Sequence, residues 1–272
     1  MHTTNTLAVP TVGVSVALPR TLLDLAVTLR PDVARTRQHM ALLAGRLGFT
    51  SVWLVAQDSE PDHETLAVLA ANARPAQIGV IVGGLDDAAM TQRLRAIRDA
   101  EISPVSVEIP GSRITDDVRA VLDGDLRRCR AVVAVDESSD DHLDAAGLIV
   151  HSTDRVETEA RLRRLVANRA AAGLTAAELP LAVALPVSIG RTRNEAEARA
   201  LLDKDLAEPE ALRAGGLFGT FEQAQRQVLG LRRAGADVLR VTLADEHDVA
   251  DLLAQVRALA VGPTPVLHER SS

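Results

Sequence analysis

Several residues that could carry acid–base or phosphate-binding chemistry follow short apolar segments of the chain. His151 lies at the end of the segment 147–152, and an imidazole titrates near neutral pH, which suits a proton donor or acceptor. A histidine held by structural hydrogen bonds is the alternative interpretation. Ser138 and Ser139 follow the segment 130–136, where a short helix is expected to begin. The unpaired N–H groups of a helix start bind phosphate, although the same serines could simply cap the helix.

Other polar groups occupy equivalent positions. Gly83 and Gly84 lie at the end of the apolar segment 77–83, and we interpret them as candidates for close approach to a cofactor, with an ordinary turn as the alternative. Glu108 lies near the end of the segment 103–109 and could act with Asp136 or His151 as acid and base in a reaction that needs no cofactor. Four carboxylates lie in the turn at 136–141, and their negative charge weakens anion binding at Ser138 and Ser139.

The elements that must position these residues are eight apolar segments, rich in valine, isoleucine or leucine. They span 11–18, 51–56, 77–83, 103–109, 130–136, 147–152, 179–188 and 237–245. Most are apolar throughout rather than alternating with polar residues. This pattern is typical of parallel strands that are covered on both faces or closed into a barrel.

Helices are indicated between the strands. An apolar stripe from Thr36 to Leu47 is followed by Gly48, a natural helix stop, and Thr220 with Gln223 forms a capping-box pattern. Alternating helices and strands permit an open doubly wound sheet or a closed barrel. Eight strands in 272 residues leave about 34 residues per unit, close to the usual barrel repeat. We therefore predict a single α/β domain, a (β/α)8 TIM barrel over residues 1–272, with 1–10 and 261–272 as loose termini.

Composition excludes several classes of partner. The net charge is −7 and no lysine- or arginine-rich run occurs, so we expect neither nucleic-acid nor membrane binding. Cys129 is the only cysteine, and no metal-ligand spacing or secretory leader is evident, which predicts a cytoplasmic protein without a metal. Tyrosine is absent, and aromatic residues make up 1% of the chain, so any ligand pocket has few rings to offer.

Three pairs of short motifs carry a resemblance to a known family. They are Leu47-Gly48-Phe49 with Trp53, Ser138-Ser139 with Ala145-Ala146, and Gly219-Thr220 with Ala234-Gly235. Together with their surroundings they resemble the luciferase-like monooxygenase family, whose members form (β/α)8 barrels and use reduced FMN or a deazaflavin. The matched segments cover about half of the chain.

The resemblance implies a flavin- or deazaflavin-dependent oxidoreductase or monooxygenase that acts on a small organic substrate. It places Ser138 and Ser139 at the cofactor phosphate and Asp58 beside the flavin. His151, proposed from its position after an apolar segment, is the second catalytic candidate. It also implies a possible homodimer. The segment 102–126 contains no aromatic residue, whereas family members carry an aromatic-rich excursion near the middle of the chain. This departure favours the alternative, a member that has lost flavin binding and serves as a non-catalytic partner subunit or binding protein.

Overall fold

The computed structural model describes residues 23–29, 34–56, 63–99, 105–122, 126, 130–135, 142–202, 209–243 and 249–261. Within these ranges strands and helices alternate along the chain. The strands are β1 (Asp24–Leu29), β2 (Ser51–Val55), β3 (Gln77–Ile81), β4 (Val105–Pro110), β5 (Ala131–Ala134), β6 (Gly147–His151), β7 (Leu181–Gly190), β8 (Leu217–Thr220) and β9 (Val238–Leu243). The helices are α1 (Ala34–Arg46), α2 (His63–Ala73), α3 (Asp87–Asp99), α4 (Asp116–Val121), α5 (Arg155–Ala171), α6 (Arg193–Leu202), α7 (Pro209–Gly215), α8 (Phe221–Ala234) and α9 (Val249–Val261).

Eight parallel strands close into a barrel. Neighbouring strands pair in chain order from β1 to β6, β6 pairs with β7, β7 with β9, and β9 with β1. The remaining strand, β8, pairs with Val187–Gly190 at the carboxyl end of β7. The predicted TIM barrel is thus confirmed, and the closing pairs exclude an open sheet.

The barrel begins with a strand that is not among the predicted ones. β1 pairs with both β2 and β9 and is therefore part of the wall, whereas the predicted strand 11–18 lies outside the described residues. The stretch between β7 and β9 contains α6, α7, β8 and α8, and β8 is a second strand that was not predicted. Leu217–Thr220 is too short to stand out as an apolar segment, and it is a strand because β7 extends far enough to pair with it.

The local signals at helix ends act as predicted. Thr220 accepts a hydrogen bond from the Gln223 backbone, and the Gln223 side chain accepts one from the Thr220 backbone, which completes the capping box of α8. Gly235 ends this helix with φ 108°, and Gly48 follows α1 with φ 78°. Both values lie in the left-handed region that glycine adopts without steric cost.

One predicted helix is wrong over the part that is described. Residues 142–146, expected to lie in an alanine-rich helix after Ser139, form turns instead. The Ala145 amide donates to the His142 carbonyl, and the Ala146 amide donates to the Ala131 carbonyl. The second bond already aligns the chain with β5, so β6 follows at once and no room remains for helical turns.

The barrel wall has two chemically different faces. Alternate strand residues pack with the helices in one continuous core; they include Leu25, Val27, Leu29, Val52, Leu54, Ile78, Val80, Val107, Ile109, Leu239, Val241 and Leu243. Successive strand side chains point to opposite faces, so the residues between them face the interior. They include small residues (Ala26, Gly79, Ala184), the large ring of Trp53, and the polar or charged residues Thr28, Glu108 and Arg240. The outer face is therefore uniformly apolar, whereas the interior is mixed and contains buried charges.

Candidate active site

Three charged or titratable side chains meet inside the barrel. Glu108 is on β4, His151 is the last residue of β6 and Arg240 lies within β9. His151 and Arg240 both pair with Ala184 of β7 in the sheet register. Because Ala184 has only a methyl side chain, it leaves space in the interior for its two larger neighbours to reach Glu108 from the opposite wall.

Glu108 is the centre of this cluster. Its side chain is 4% exposed, its Oε1 lies 2.8 Å from Nε2 of His151, and its Oε2 accepts a hydrogen bond from Nη1 of Arg240. Burial by itself raises the pKa of this carboxyl. The Arg240 charge and the hydrogen bond from His151 outweigh burial and lower the pKa of Glu108 from 4.5 to about 2. Glu108 is therefore an anion across the physiological pH range.

Arg240 is held by an aromatic ring as well as by the carboxylate. Its guanidinium carbon lies 5.1 Å from the centroid of the Trp53 ring, within cation–π range. Trp53 Nε1 donates to Ser51 Oγ at 2.9 Å, which fixes the ring. Gly79 on the next strand is required here, since a Cβ at that position would lie 2.3 Å from Cε3 of Trp53.

The interior is hollow on the amino-terminal side of this cluster. A cavity of about 430 Å³ is lined by Trp53 and Arg240 and by the first residues of several strands, including Asp24, Ser51 and Gln77. In many TIM barrels layers of bulky branched side chains fill this space. Arg240 Nε is buried beside the cavity and has no hydrogen-bond partner among the described residues.

His151 faces the other end of the barrel. Its side chain is 52% exposed, at the carboxyl ends of the strands where TIM-barrel enzymes place their chemistry. Because ionised Glu108 can only accept, Nε2 of neutral His151 donates to it, and the tautomer follows from this bond. Nδ1 is then the nitrogen left to accept a proton. The arrangement is that of a carboxylate orienting a histidine base.

The structure places only some of the predicted site residues. Asp58, Ser138 and Ser139 lie outside the described residues, and their roles stay predictions. Gly83 and Gly84 lie in a turn after β3. Arg113 donates to the carbonyl groups of Gly83 at 3.2 Å and Leu85 at 2.6 Å, so this turn has a structural support of its own.

The sequence reasoning missed Arg240 and the position of Trp53. It named Glu108 and His151 as possible acid and base at the carboxyl ends of barrel strands but did not pair them with each other. A usable signal was present, because Arg240 is a charged residue in the middle of the apolar strand VLRVTL. A buried charge in such a strand requires a partner, and the carboxylate of Glu108, itself inside an apolar strand, was available.

Fold and site together define a parallel eight-stranded barrel with buried charges in its interior and a histidine at its carboxyl-terminal mouth. The sequence matches no protein-family model and no curated protein. Solved structures are similar to it over most of their length. A coenzyme F420-dependent tetrahydromethanopterin reductase from Methanopyrus kandleri aligns with a TM-score of 0.64 at 10% identity, covering 88% of this chain and 98% of the reductase.

Two further structures show the same similarity. An F420-dependent secondary alcohol dehydrogenase, bound to an F420–acetone adduct, aligns with a TM-score of 0.63 at 10% identity, covering 89% of this chain and 99% of the dehydrogenase. A monooxygenase from Streptomyces bottropensis aligns with a TM-score of 0.64 at 15% identity, covering 87% and 98% of the two chains. At 10–15% identity these alignments show that the chain shares its barrel fold with these enzymes. In the described ranges, no helix has the length and apolar character needed to span a membrane.

Proposed function

We propose that this protein is an oxidoreductase that uses FMN or a deazaflavin and acts on a small organic substrate at the carboxyl-terminal mouth of the barrel. The observation that carries the proposal is the half-exposed His151 at this mouth, oriented by the buried Glu108 at 2.8 Å. The fold supports the cofactor class, since similar barrels include F420-dependent enzymes and a monooxygenase.

One described residue could contact a planar ring system directly. His151 offers a hydrogen-bonding nitrogen at the mouth. Ser138 and Ser139 would hold the phosphate and Asp58 would lie beside the ring, as the family resemblance implies. When bound, the cofactor would supply the electron transfer, which is chemistry that side chains lack.

The protein's own residues would handle the proton. Glu108 fixes the orientation of His151 by accepting from Nε2, and Nδ1 exchanges a proton with the substrate. Arg240 balances the Glu108 charge, so the carboxylate stays ionised and in place during that exchange. The apolar outer face of the barrel wall separates this cluster from the water around the outer helices.

Flavin binding tests the proposal directly. Purified protein is titrated with FMN, and separately with a deazaflavin, while the fluorescence of the flavin is followed. We expect saturable quenching by at least one of them, with a dissociation constant on the order of micromolar. We expect Ser138→Asp to abolish it, because the added charge repels the phosphate. Ala176→Asp adds the same charge at an exposed position in the loop before β7, at the opposite end of the barrel, and should leave binding unchanged.

A negative result would be equally informative. If neither flavin is quenched at high micromolar protein, the oxidoreductase proposal is wrong, and the alternative of a non-catalytic partner subunit or binding protein takes its place. If Ser138→Asp binds flavin as tightly as the unmodified protein, the phosphate assignment fails while the cofactor class stands.

A further inference from the structure

A second concave site lies outside the barrel wall, where four helices of the outer layer meet. It is a groove of about 480 Å³ formed by α5, α6, α7 and α8, with Phe218 of β8 at its floor. Phe218 packs with Ala196, Ala200 and Leu212 of the outer helices in a cluster separate from the main core. The groove lies outside the barrel wall but on the same carboxyl-terminal side as His151, because Arg155 and Arg193 begin the helices that follow β6 and β7. We call it the arginine groove, after the four arginines that line it: Arg155, Arg193, Arg213 and Arg226.

The arginine groove has an excess of positive charge in a chain whose net charge is −7. Glu159 is the one carboxylate among its lining residues, and it pairs with Arg163 at 2.9 Å. Close by, Glu197 pairs with Arg213 at 3.2 Å and lies 3.8 Å from Arg193.

The two remaining lining arginines have less compensation. No described carboxylate pairs with Arg155, and Arg226 has only the electrostatic influence of exposed Glu222. Four guanidinium groups thus share few carboxylates, and the groove keeps an excess of positive charge.

The positions of two of these arginines are unfavourable for the helices that carry them. Arg155 is the first residue of α5 and Arg193 is the first residue of α6. The amino end of a helix carries partial positive charge, so a cation there lowers helix stability and an anion raises it. Each helix has a carboxylate in its first turn, Glu157 in α5 and Glu195 in α6, yet both arginines line one groove. An anion bound between them would offset the remaining unfavourable charge at both helices.

The shape of the groove indicates the size of the ligand. Its volume is that of a small-molecule site, and its floor is an aromatic ring under the Arg213 guanidinium, 5.9 Å from the ring centroid. Guanidinium groups bind phosphate and carboxylate oxygens through paired N–H donors. We propose that the arginine groove binds a small polyanion carrying phosphate or several carboxylate groups. This inference goes beyond the proposed redox function and does not depend on it.

Calorimetric titration of the flavin-free protein tests the proposal, with pyrophosphate and citrate as the probes. We expect saturable binding of at least one probe and no comparable heat from sodium chloride at the same ionic strength. The double variant Arg155→Gln/Arg226→Gln should weaken binding about tenfold or more, because each lost charged hydrogen bond is worth that much. The control Arg232→Gln/Arg233→Gln removes two exposed arginines of α8 that do not line the groove, and should bind as the unmodified protein does.

Thermal unfolding separates a ligand site from a structural role. Without a probe, the groove variant should unfold at the same temperature as the unmodified protein or slightly above it. Its stabilisation by the probe should be lost. The proposal is overturned if neither probe binds saturably, if both double variants lose binding equally, or if sodium chloride gives the same stabilisation. Binding of a polyglutamate peptide without binding of either probe would also overturn it, in favour of a protein partner.

Discussion

Arginine occupies two contrasting environments in this molecule. Arg240 lies inside the barrel with 3% of its side chain exposed, against the carboxylate of Glu108 and the ring of Trp53. Arg193, in the arginine groove, is 63% exposed, and its nearest carboxylate oxygen, on Glu197, is 3.8 Å away. Arg240 is thus enclosed by protein groups, whereas Arg193 is largely accessible to a ligand.

Burial determines whether a charged side chain contributes mainly to folding or mainly to binding. Taking a charge out of water costs several kcal/mol, so the buried Arg240 is tolerated only with its partner in place. The surface arginines keep most of their hydration and gain little from nearby carboxylates. We therefore expect changes at the interior cluster to act mainly on folding, and changes in the arginine groove to act mainly on binding.

The largest expected effect comes from breaking the buried pair. Glu108→Gln leaves the Arg240 charge without a counterion and should lower the free energy of unfolding by about 3–5 kcal/mol, measured by urea denaturation. Adding Arg240→Met removes the orphaned charge and should recover most of the loss. A single variant that loses less than about 1 kcal/mol would show that the interior is hydrated and that the contrast with the groove is weak.

The same pair predicts how stability depends on pH. The pKa of Glu108 falls from 4.5 to about 2 on folding, so the folded state favours the anion. This contribution, about 3 kcal/mol, is fully present above pH 4.5 and is lost as the pH falls toward 2. Denaturation series between pH 7 and pH 2 should show this loss. It should be absent from Glu108→Gln, and an equal slope in both proteins would assign the pH dependence to other carboxylates.

An intermediate effect is expected at the ring that supports Arg240. Gly79→Ala would place a Cβ 2.3 Å from the Trp53 ring, and the overpacking should cost about 1–3 kcal/mol. The fluorescence of Trp53, the sole tryptophan, should change as the ring moves. Gly84→Ala is the matched control, because no atom lies within 4 Å of the added carbon. Equal stability losses in the two variants would show that a general glycine effect, rather than contact with Trp53, is responsible.

The smallest expected effect is in the arginine groove. Arg155→Gln removes a cation from the amino end of α5 and should change the free energy of unfolding by less than about 1 kcal/mol, in the stabilising direction. Urea denaturation in the absence of added anions measures this. A clear loss of stability would mean that Arg155 has a structural role, and the contrast with Arg240 would then disappear.

Much of the fold could be predicted from the sequence because its signals are local. The capping box at Thr220 and Gln223 and the glycine stop at Gly235 act through hydrogen bonds and backbone angles of adjacent residues. Seven of the predicted apolar segments correspond to strands of the barrel. β1 was missed because Asp24–Leu29 is mixed with polar residues, and its place in the wall depends on pairing with β2 and β9.

The site could be predicted only in part. His151 was selected because it follows an apolar segment, and its place at the end of β6 agrees with that reasoning. The sequence could not identify Glu108 as the hydrogen-bond partner of His151, since the two residues are 43 positions apart along the chain. The helix expected after Ser139 was wrong at 142–146, because a hydrogen bond from Ala146 to Ala131 governs that turn.

The sequence by itself determined the alternation of strands and helices, the helix ends and the apolar outer face of the barrel, all of which follow from the types of residues near one another in the chain. Only the tertiary structure decided which charges meet. Arg240 and Glu108 are 132 residues apart. They come together because barrel closure and the strand register place both side chains in the barrel interior. Likewise, α5 to α8 place four arginines on one groove by packing, which no local pattern specifies.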